Sequence, residues 1–136
     1  MTSLLDIQTE LTSNIKFQAT PIPMDNSDYV NFTIQGVKRL YIDEGIEGSF
    51  LTDYDKTGYT IARDLSLTEQ EYAWTCAEIA FRNQIIDDCN SIIGYTTNAI
   101  AITGANAPFK NQQGTIQFLE DRLSVLAFKF THKQVT

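Results

Sequence analysis

Apolar side chains recur every three or four residues in four stretches of this chain, which is the spacing of one face of an α-helix. The stretches are Leu4 to Ile15, about Asn26 to Gly45, Thr68 to Asn90, and about Thr115 to Phe130. In the third stretch the apolar residues spread around most of the helical circumference, as in a helix that is nearly enclosed. We therefore predict a mainly α fold, a small bundle of about four helices around the 68–90 helix.

Two of the predicted helices carry sequence signals for their first residues. Ser27 or Asp28 suits the N-cap of the second helix. At the third helix, Thr68 and Glu71 have the spacing of a capping box, and Leu67 stands just before it at a hydrophobic-staple position. These residues predict where the second and third helices begin.

Charged residues on the predicted helices are expected to face water. Glu78 and Arg82 stand one turn apart and mark the polar face of the third helix. Lys38 and Arg39 are too few for a nucleic-acid patch and are expected on the wet side of the second helix. Most of the acidic clusters are also expected to be solvated: Asp43, Glu44 and Glu47; Glu69 and Glu71; Asp87 and Asp88; Glu120 and Asp121.

Two stretches depart from the helical pattern. Between Ser49 and Leu67, the run Asp55-Lys56-Thr57-Gly58 predicts a turn between two short extended pieces, a loop or weak hairpin. From Tyr95 to Lys110, aromatic and β-branched residues precede a Gly-Ala-Asn turn, which predicts a protruding β-hairpin or extended loop. Gly114 is then expected to break the chain before the last helix.

The first of these stretches also comes close to a calcium-binding loop. Asp53, Asp55, Thr57 and Asp64 place oxygen donors at its first, third, fifth and twelfth positions, and Gly58 stands at the sixth, where such a loop turns sharply. Against this, the twelfth position holds Asp where a bidentate Glu is usual, and residues 48–50 show no helical pattern. A structural turn is the preferred interpretation, with a small calcium-binding interaction module as the alternative.

Composition narrows the class of protein. The chain has 136 residues, a net charge of −7 and a sequence pI of about 4.5. This length predicts a single domain over residues 1–136. The acidic balance argues against a tight grip on nucleic acid. No apolar run approaches the roughly twenty residues that cross a bilayer, and Asp6 and Glu10 stand where a secretory leader would be basic, so neither a membrane span nor secretion is expected.

Cysteine and histidine usage argues against an enzyme. Cys76 and Cys89 lie on one predicted helix, about 20 Å apart, which is too far for a disulfide, so we expect buried thiols in a reducing cytoplasm. His132 is the one imidazole, which leaves no zinc site or histidine-based triad within the chain. Glycine-rich phosphate loops are absent from the sequence. We predict no catalytic residues, no resident metal and no cofactor.

The order of elements resembles that of the head-tail connector (adaptor or neck) proteins of tailed bacteriophages and of prophage-like particles of Gram-positive bacteria. The resemblance covers most of the chain, and the loop 45–67 is longer than in the simplest members. Its carriers are Tyr41-Ile42-Asp43, the enclosed helix 68–90, Ile93-Gly94-Tyr95-Thr96-Thr97 and the closing helix.

The resemblance implies a structural virion protein made in the bacterial cytoplasm. It would form a homo-oligomeric ring of twelve subunits at the phage neck, docked on the portal and receiving the tail, with DNA passing through the lumen without specific binding. The segment 95–110 would reach a neighbouring subunit or another neck protein through extended-chain pairing or apolar contacts; an ordinary exposed hairpin is the open alternative. A tail-completion or terminator protein is a second structural reading. The implied interface residues are Tyr95, Thr96, Thr97, Ile100, Ile102 and Phe109.

Overall fold

The computed structural model describes residues 1–15, 20, 23–95 and 112–129, with the backbone alone at residues 47 and 89–95. Within these ranges the chain forms five α-helices, of which four are substantial, and one small antiparallel sheet. The helices are α1 (Leu4–Asn14), α2 (Asn26–Asp43), the single turn α3 (Phe50–Asp53), α4 (Leu67–Tyr95) and α5 (112–129). The predicted mainly helical bundle is confirmed.

The caps of α2 and α4 differ from those predicted. Asp25, not Ser27 or Asp28, caps α2: its Oδ1 accepts a hydrogen bond from the Asp28 amide at 3.2 Å, and Asp28 Oδ2 accepts from the Asp25 amide at 3.0 Å. Asp28 is thus the reciprocal member of a capping box, three residues into the helix.

The capping box of α4 lies two residues before the predicted one. Ser66 Oγ accepts from the Glu69 amide at 3.1 Å, and Glu69 Oε1 accepts from the Ser66 amide at 3.0 Å. The sequence offers two overlapping boxes, and the fold selects the one that turns Leu65 into the core and leaves Leu67 80% exposed. The prediction of Leu67 as a staple residue is therefore wrong.

Two helix limits also differ from the prediction. The backbone of α4 continues past Asn90 to Tyr95, so Gly94 lies inside the helix, and α5 begins at 112, so Gly114 does not break the chain. A helical glycine costs about 1 kcal/mol relative to alanine, which the surrounding turns of these long helices can offset. The remainder of the predicted excursion, from Thr96 through Lys110, lies outside the described residues.

The core is built around α4. One cluster joins α4 residues such as Tyr72 and Ile79 to Leu4 of α1, Leu40 of α2 and Leu123 of α5. A second cluster lies further along α4. Its members are Leu11, Ile15, Phe32, Ala77, Phe81 and Ile85. Because α1, α2 and α5 all pack on α4, the predicted nearly enclosed helix is confirmed.

Helices α2 and α4 approach most closely at Gly36. A Cβ at this position would lie 2.3 Å from the Ala73 carbonyl oxygen and 2.9 Å from the Ala77 amide nitrogen. Glycine is therefore required by the contact between the two backbones. The close approach also fixes which side of α2 faces the core.

The sheet has three two-residue strands: β1 (Thr2–Ser3), β2 (Tyr54–Asp55) and β3 (Thr60–Ile61). Their order is β1-β3-β2, with both neighbouring pairs antiparallel and Ile61 opposite both Thr2 and Tyr54. The predicted weak hairpin is confirmed as β2 and β3. Two features were not predicted: strand β1, and the helical geometry of 47–53, where a 3₁₀ turn (Glu47–Ser49) runs into α3.

No helix in the described part of the chain is long and apolar enough to span a membrane.

Candidate functional site

The residues of the predicted calcium loop lie on and around the β2–β3 hairpin. Asp53 Oδ2 accepts a hydrogen bond from the Tyr41 hydroxyl at 2.8 Å, and Asp55 Oδ1 accepts from the Thr57 amide at 3.1 Å. Asp64 contacts the N-terminal amino group. Within the described ranges, no group of three or more His, Cys, Asp or Glu side chains is arranged to hold a metal ion. The calcium-binding reading gains no geometric support and stays a prediction.

The predicted interface residues lie almost entirely outside the described part. Tyr95 is the last described residue of α4, and Thr96, Thr97, Ile100, Ile102 and Phe109 follow it. Their role as an interface stays a prediction. Exposed apolar side chains elsewhere in the structure supply further candidates.

Helix α5 carries apolar residues outside its buried face. Leu119, Leu123 and Leu126 are buried against the bundle. Away from that face, Phe118 and Val125 are 67% and 53% exposed, and Phe128 is also exposed. We call Phe118, Val125 and Phe128 the α5 stripe. An ordinary surface helix has one apolar face, so the stripe is a candidate contact surface.

The α5 stripe was missed at the sequence level, although its signal is present. Phe118 and Val125 are seven residues apart, which places them on one helical face, and Phe128 lies three residues further. The side chains of Phe118 and Phe128 together expose about 250 Å², since a fully exposed phenylalanine has roughly 200 Å² of surface. That area lies just below the roughly 300–600 Å² of the largest apolar patch on a typical monomer.

Ion pairs fix the position of α5 on the bundle. Arg39 of α2 makes a bidentate contact with Glu120, donating from Nη1 to Oε1 at 3.1 Å and from Nη2 to Oε2 at 2.8 Å. Arg122 pairs with Glu71 of α4. The prediction of a wet side of α2 holds for Lys38, which is exposed, whereas Arg39 is half-buried with its head group between helices. The outward direction of the α5 stripe follows from these fixed contacts.

A buried ion pair holds the other end of α5. Arg82 Nε donates to Glu78 Oε2 at 3.0 Å, and Arg82 Nη1 donates to Gln112 Oε1 at 2.8 Å. Both charged side chains are buried, so the predicted solvated face of α4 is wrong at this pair. Helix α5 covers it, and the sequence spacing alone could not show that.

A small apolar groove lies on the outer side of α2. Its lining consists of Lys38, Ile42, Phe50 and Leu51, which we call the α2 groove, and its volume is about 190 Å³. Leu51 is 85% exposed, Ile42 is exposed, and Lys38 Nζ lies 5.5 Å from the centre of the Phe50 ring. The groove thus combines an apolar floor with one cation at its border.

Two carboxyl groups meet between the end of α2 and the start of α4. Glu44 stands at the C-cap of α2 with its side chain 7% exposed, and Arg63 Nη1 donates to its Oε2 at 2.8 Å. Glu69, in the first turn of α4, places Oε2 at 3.4 Å from Arg63 Nη2. Most of the acidic clusters were expected to be solvated. The carboxyl groups of Glu44 and Glu69 are not, so the expectation is wrong for this pair. The pairing joins residues far apart in sequence, which periodicity does not reveal.

The pKa values of the two carboxyl groups are shifted in opposite directions, so one proton belongs mainly to Glu44. Burial raises the pKa of Glu44 to about 7, with the neighbouring Glu69 adding to the shift. Burial alone would raise the pKa of Glu69, but hydrogen bonds from Glu44 and Ser66 and the charge of Arg63 hold it below its usual value. Helix ends act in the same sense, since an anion is disfavoured at the C-terminus of α2 and favoured at the N-terminus of α4.

The proton on Glu44 completes the local hydrogen bonding. Among the described residues, no other well-oriented donor reaches Glu69 Oε2. A protonated Glu44 supplies that donor, while the positive Arg63 neutralises Glu69. The arrangement therefore joins two helix ends most firmly when exactly one of the two carboxyls is charged.

Cys76 agrees with the sequence expectation of a buried thiol. It is buried among α4 neighbours and forms no disulfide, and burial raises the pKa of its thiol to about 12. A thiol with so high a pKa is a poor nucleophile at neutral pH.

Comparisons with protein-family models, curated proteins and solved structures give no match for this chain. Structural support for a function therefore has to come from the surfaces of this chain, above all the α5 stripe.

Proposed function

We propose that this chain is a structural subunit of the neck of a tailed bacteriophage or prophage-like particle, where copies form a ring that joins the portal to the tail and lets DNA pass. The proposal comes from the resemblance in the order of elements. The α5 stripe is the observation on the fold that supports it, because an assembly subunit needs apolar surface that only a neighbour covers.

The charge of the chain suits this role. A net charge of −7 disfavours a tight grip on phosphate groups, and a ring that conducts DNA works best without such a grip. The subunit would therefore bind its protein neighbours through apolar contacts while leaving DNA free to move.

Electron microscopy of the purified chain, alone and with the portal protein from the same genome, tests this function. We expect rings that bind one end of the portal. A monomer that ignores the portal in every condition would contradict the proposal. A ring that binds tail proteins but never the portal would favour the tail-completion reading instead.

A second variant tests the segment 95–110. Replacing residues 96–109 with a Gly/Ser linker of equal length removes Ile100, Ile102 and Phe109 while keeping the spacing between α4 and α5. We expect a folded chain, with helical circular dichroism unchanged, that no longer forms neck assemblies. Normal assemblies from this variant would rule out the segment as the interface.

A further inference from the structure

We propose that the α5 stripe of one copy docks into the α2 groove of the next copy, so that one repeated contact links successive subunits. This inference rests on the proposed function and names the partner of the stripe: a second copy of this chain. Phe118 and Val125 would be the inserted side chains, and Ile42 and Leu51 would line the receiving surface.

The two surfaces match in size and shape. The stripe projects from an exposed helix face, and the groove is a concavity of about 190 Å³. Apolar cavities of about 150 Å³ in proteins hold a benzene molecule, so the groove has room for one phenyl ring such as that of Phe118.

The two surfaces also carry opposite charges. Asp121 lies on the same face of α5 as Phe118 and Val125, and Lys38 lies at the border of the groove. Helix α5 carries two acids and two bases over 112–129, so it is neutral although the whole chain has a charge of −7. Copies of this acidic chain therefore repel each other least where α5 meets a neighbour.

The stripe and the groove are different patches on different helices. Lys38 lies two residues from Gly36 and Ile42 two residues from Leu40; Gly36 and Leu40 face the core, and two residues turn a helix by about 200°, so the groove is on the outer side of α2. When the stripe and the groove of one copy engage two different neighbours, the repeated contact builds a ring or filament, whereas reciprocal docking with a single neighbour closes a two-fold dimer.

In a ring, each copy covers both its stripe and its groove. A two-fold dimer of stripes would leave Ile42 and Leu51 of both copies exposed.

Two single substitutions on exposed residues test the contact. Val125→Asp places a charge in the stripe, and Leu51→Asp places one in the groove, with little effect on folding because both side chains are in water. By analytical ultracentrifugation, we expect wild type to self-associate and each variant to lose association about tenfold or more. Ser13→Asp, at an exposed position of α1 outside both the stripe and the groove, is the matched control and should associate as wild type does.

Mixing the two variants gives the decisive result. The Leu51→Asp copy retains an intact stripe and the Val125→Asp copy an intact groove, so the mixture should form one-to-one dimers that grow no further. A Leu51→Asp variant that dimerises by itself would overturn the head-to-tail contact, as would a mixture that stays monomeric. A wild-type chain that is monomeric at every concentration would overturn it as well.

A charge exchange checks the register of the contact. Lys38→Glu and Asp121→Lys should each weaken association, and the double variant Lys38→Glu/Asp121→Lys should recover it. Lack of recovery would place the two residues apart in the contact and overturn the proposed register.

Failure of this contact can be told apart from failure of the proposed function. Portal-binding rings that form normally with Leu51→Asp would support the function and reject this contact. The expected mixing result without portal binding would support the contact and reject the function.

Discussion

Replacing Glu44 with glutamine isolates the energetic role of the buried carboxyl pair. The amide has the shape of a protonated carboxyl group, so it can donate to Glu69 and accept from Arg63 at any pH. In wild type the same hydrogen bonds require a proton on Glu44, whose pKa is raised to about 7 by burial and by Glu69. The variant therefore fixes the protonated state of this site.

The sign of the effect follows from proton linkage. Between the ordinary pKa of 4.5 and about 7, the folded state binds the Glu44 proton more tightly than the unfolded state does. Stability from this group is thus fully present below pH 4.5, falls as the pH rises through this range, and is constant above it. Glu69 contributes oppositely: its lowered pKa adds stability that is lost when the pH falls below its usual value.

The magnitude can be estimated from the shift. A change from 4.5 to about 7 is about 2.5 pKa units, or about 3.4 kcal/mol at 1.36 kcal/mol per unit. Water reaches this site beside Arg63, whose side chain is 37% exposed, and screens the charge on Glu44, so we reduce the figure to about 1–2 kcal/mol. The stability advantage of Glu44→Gln over wild type should therefore be about 1–2 kcal/mol larger at pH 8 than at pH 5.

Urea unfolding at several pH values measures this difference. Trp74, the single tryptophan, lies on α4 and reports by fluorescence, with circular dichroism as a second probe. Glu10→Gln, on an exposed position of α1, is the matched control and should keep the wild-type pH dependence. If the difference between Glu44→Gln and wild type is the same at pH 5 and pH 8, the unequal sharing of the proton is wrong.

Three further predictions concern the packing of α4. Gly36→Ala should destabilise the protein by about 2–3 kcal/mol in urea unfolding, since its Cβ would meet backbone, while Gly48→Ala, with nothing within 4 Å, should change stability by less than about 0.5 kcal/mol. Arg82→Met should cost about 3–5 kcal/mol by leaving Glu78 buried without its cation, and adding Glu78→Leu should recover part of that loss. In a Cys89→Ser background, Cys76 should react with a thiol reagent at least about a hundredfold more slowly in the native protein than in urea; equal rates would show that the thiol is accessible.

The periodicity of apolar residues was sufficient to predict the four substantial helices. Burial of one apolar face stabilises a helix whichever residues begin and end it, so the periodicity predicts that the helix exists. Helix starts were less predictable because local signals overlap: Ser66 with Glu69 and Thr68 with Glu71 have the same spacing, and burial of Leu65 decides between them.

The features that were not predicted are contacts between distant parts of the chain. Strand β1 exists because Thr2 pairs with Ile61, and Glu44 meets Glu69 because α2 ends where α4 begins. A two-residue strand has no pattern of its own, and a carboxyl group in a sequence gives no sign of the partner that will raise its pKa. Such contacts depend on the tertiary arrangement, so they follow only once the helices are placed.

Helix α5 shows how placement changes the meaning of a pattern. By composition, Phe118 and Val125 could belong to the core as readily as Leu119 and Leu126 do. Burial of Leu119, Leu123 and Leu126 sets the rotation of the helix, the pairing of Arg39 with Glu120 is compatible with it, and the stripe is left exposed. Apolar surface that stays in water in the folded copy gains free energy when a neighbour covers it. The exposed surface of the stripe can therefore contribute to holding several copies together.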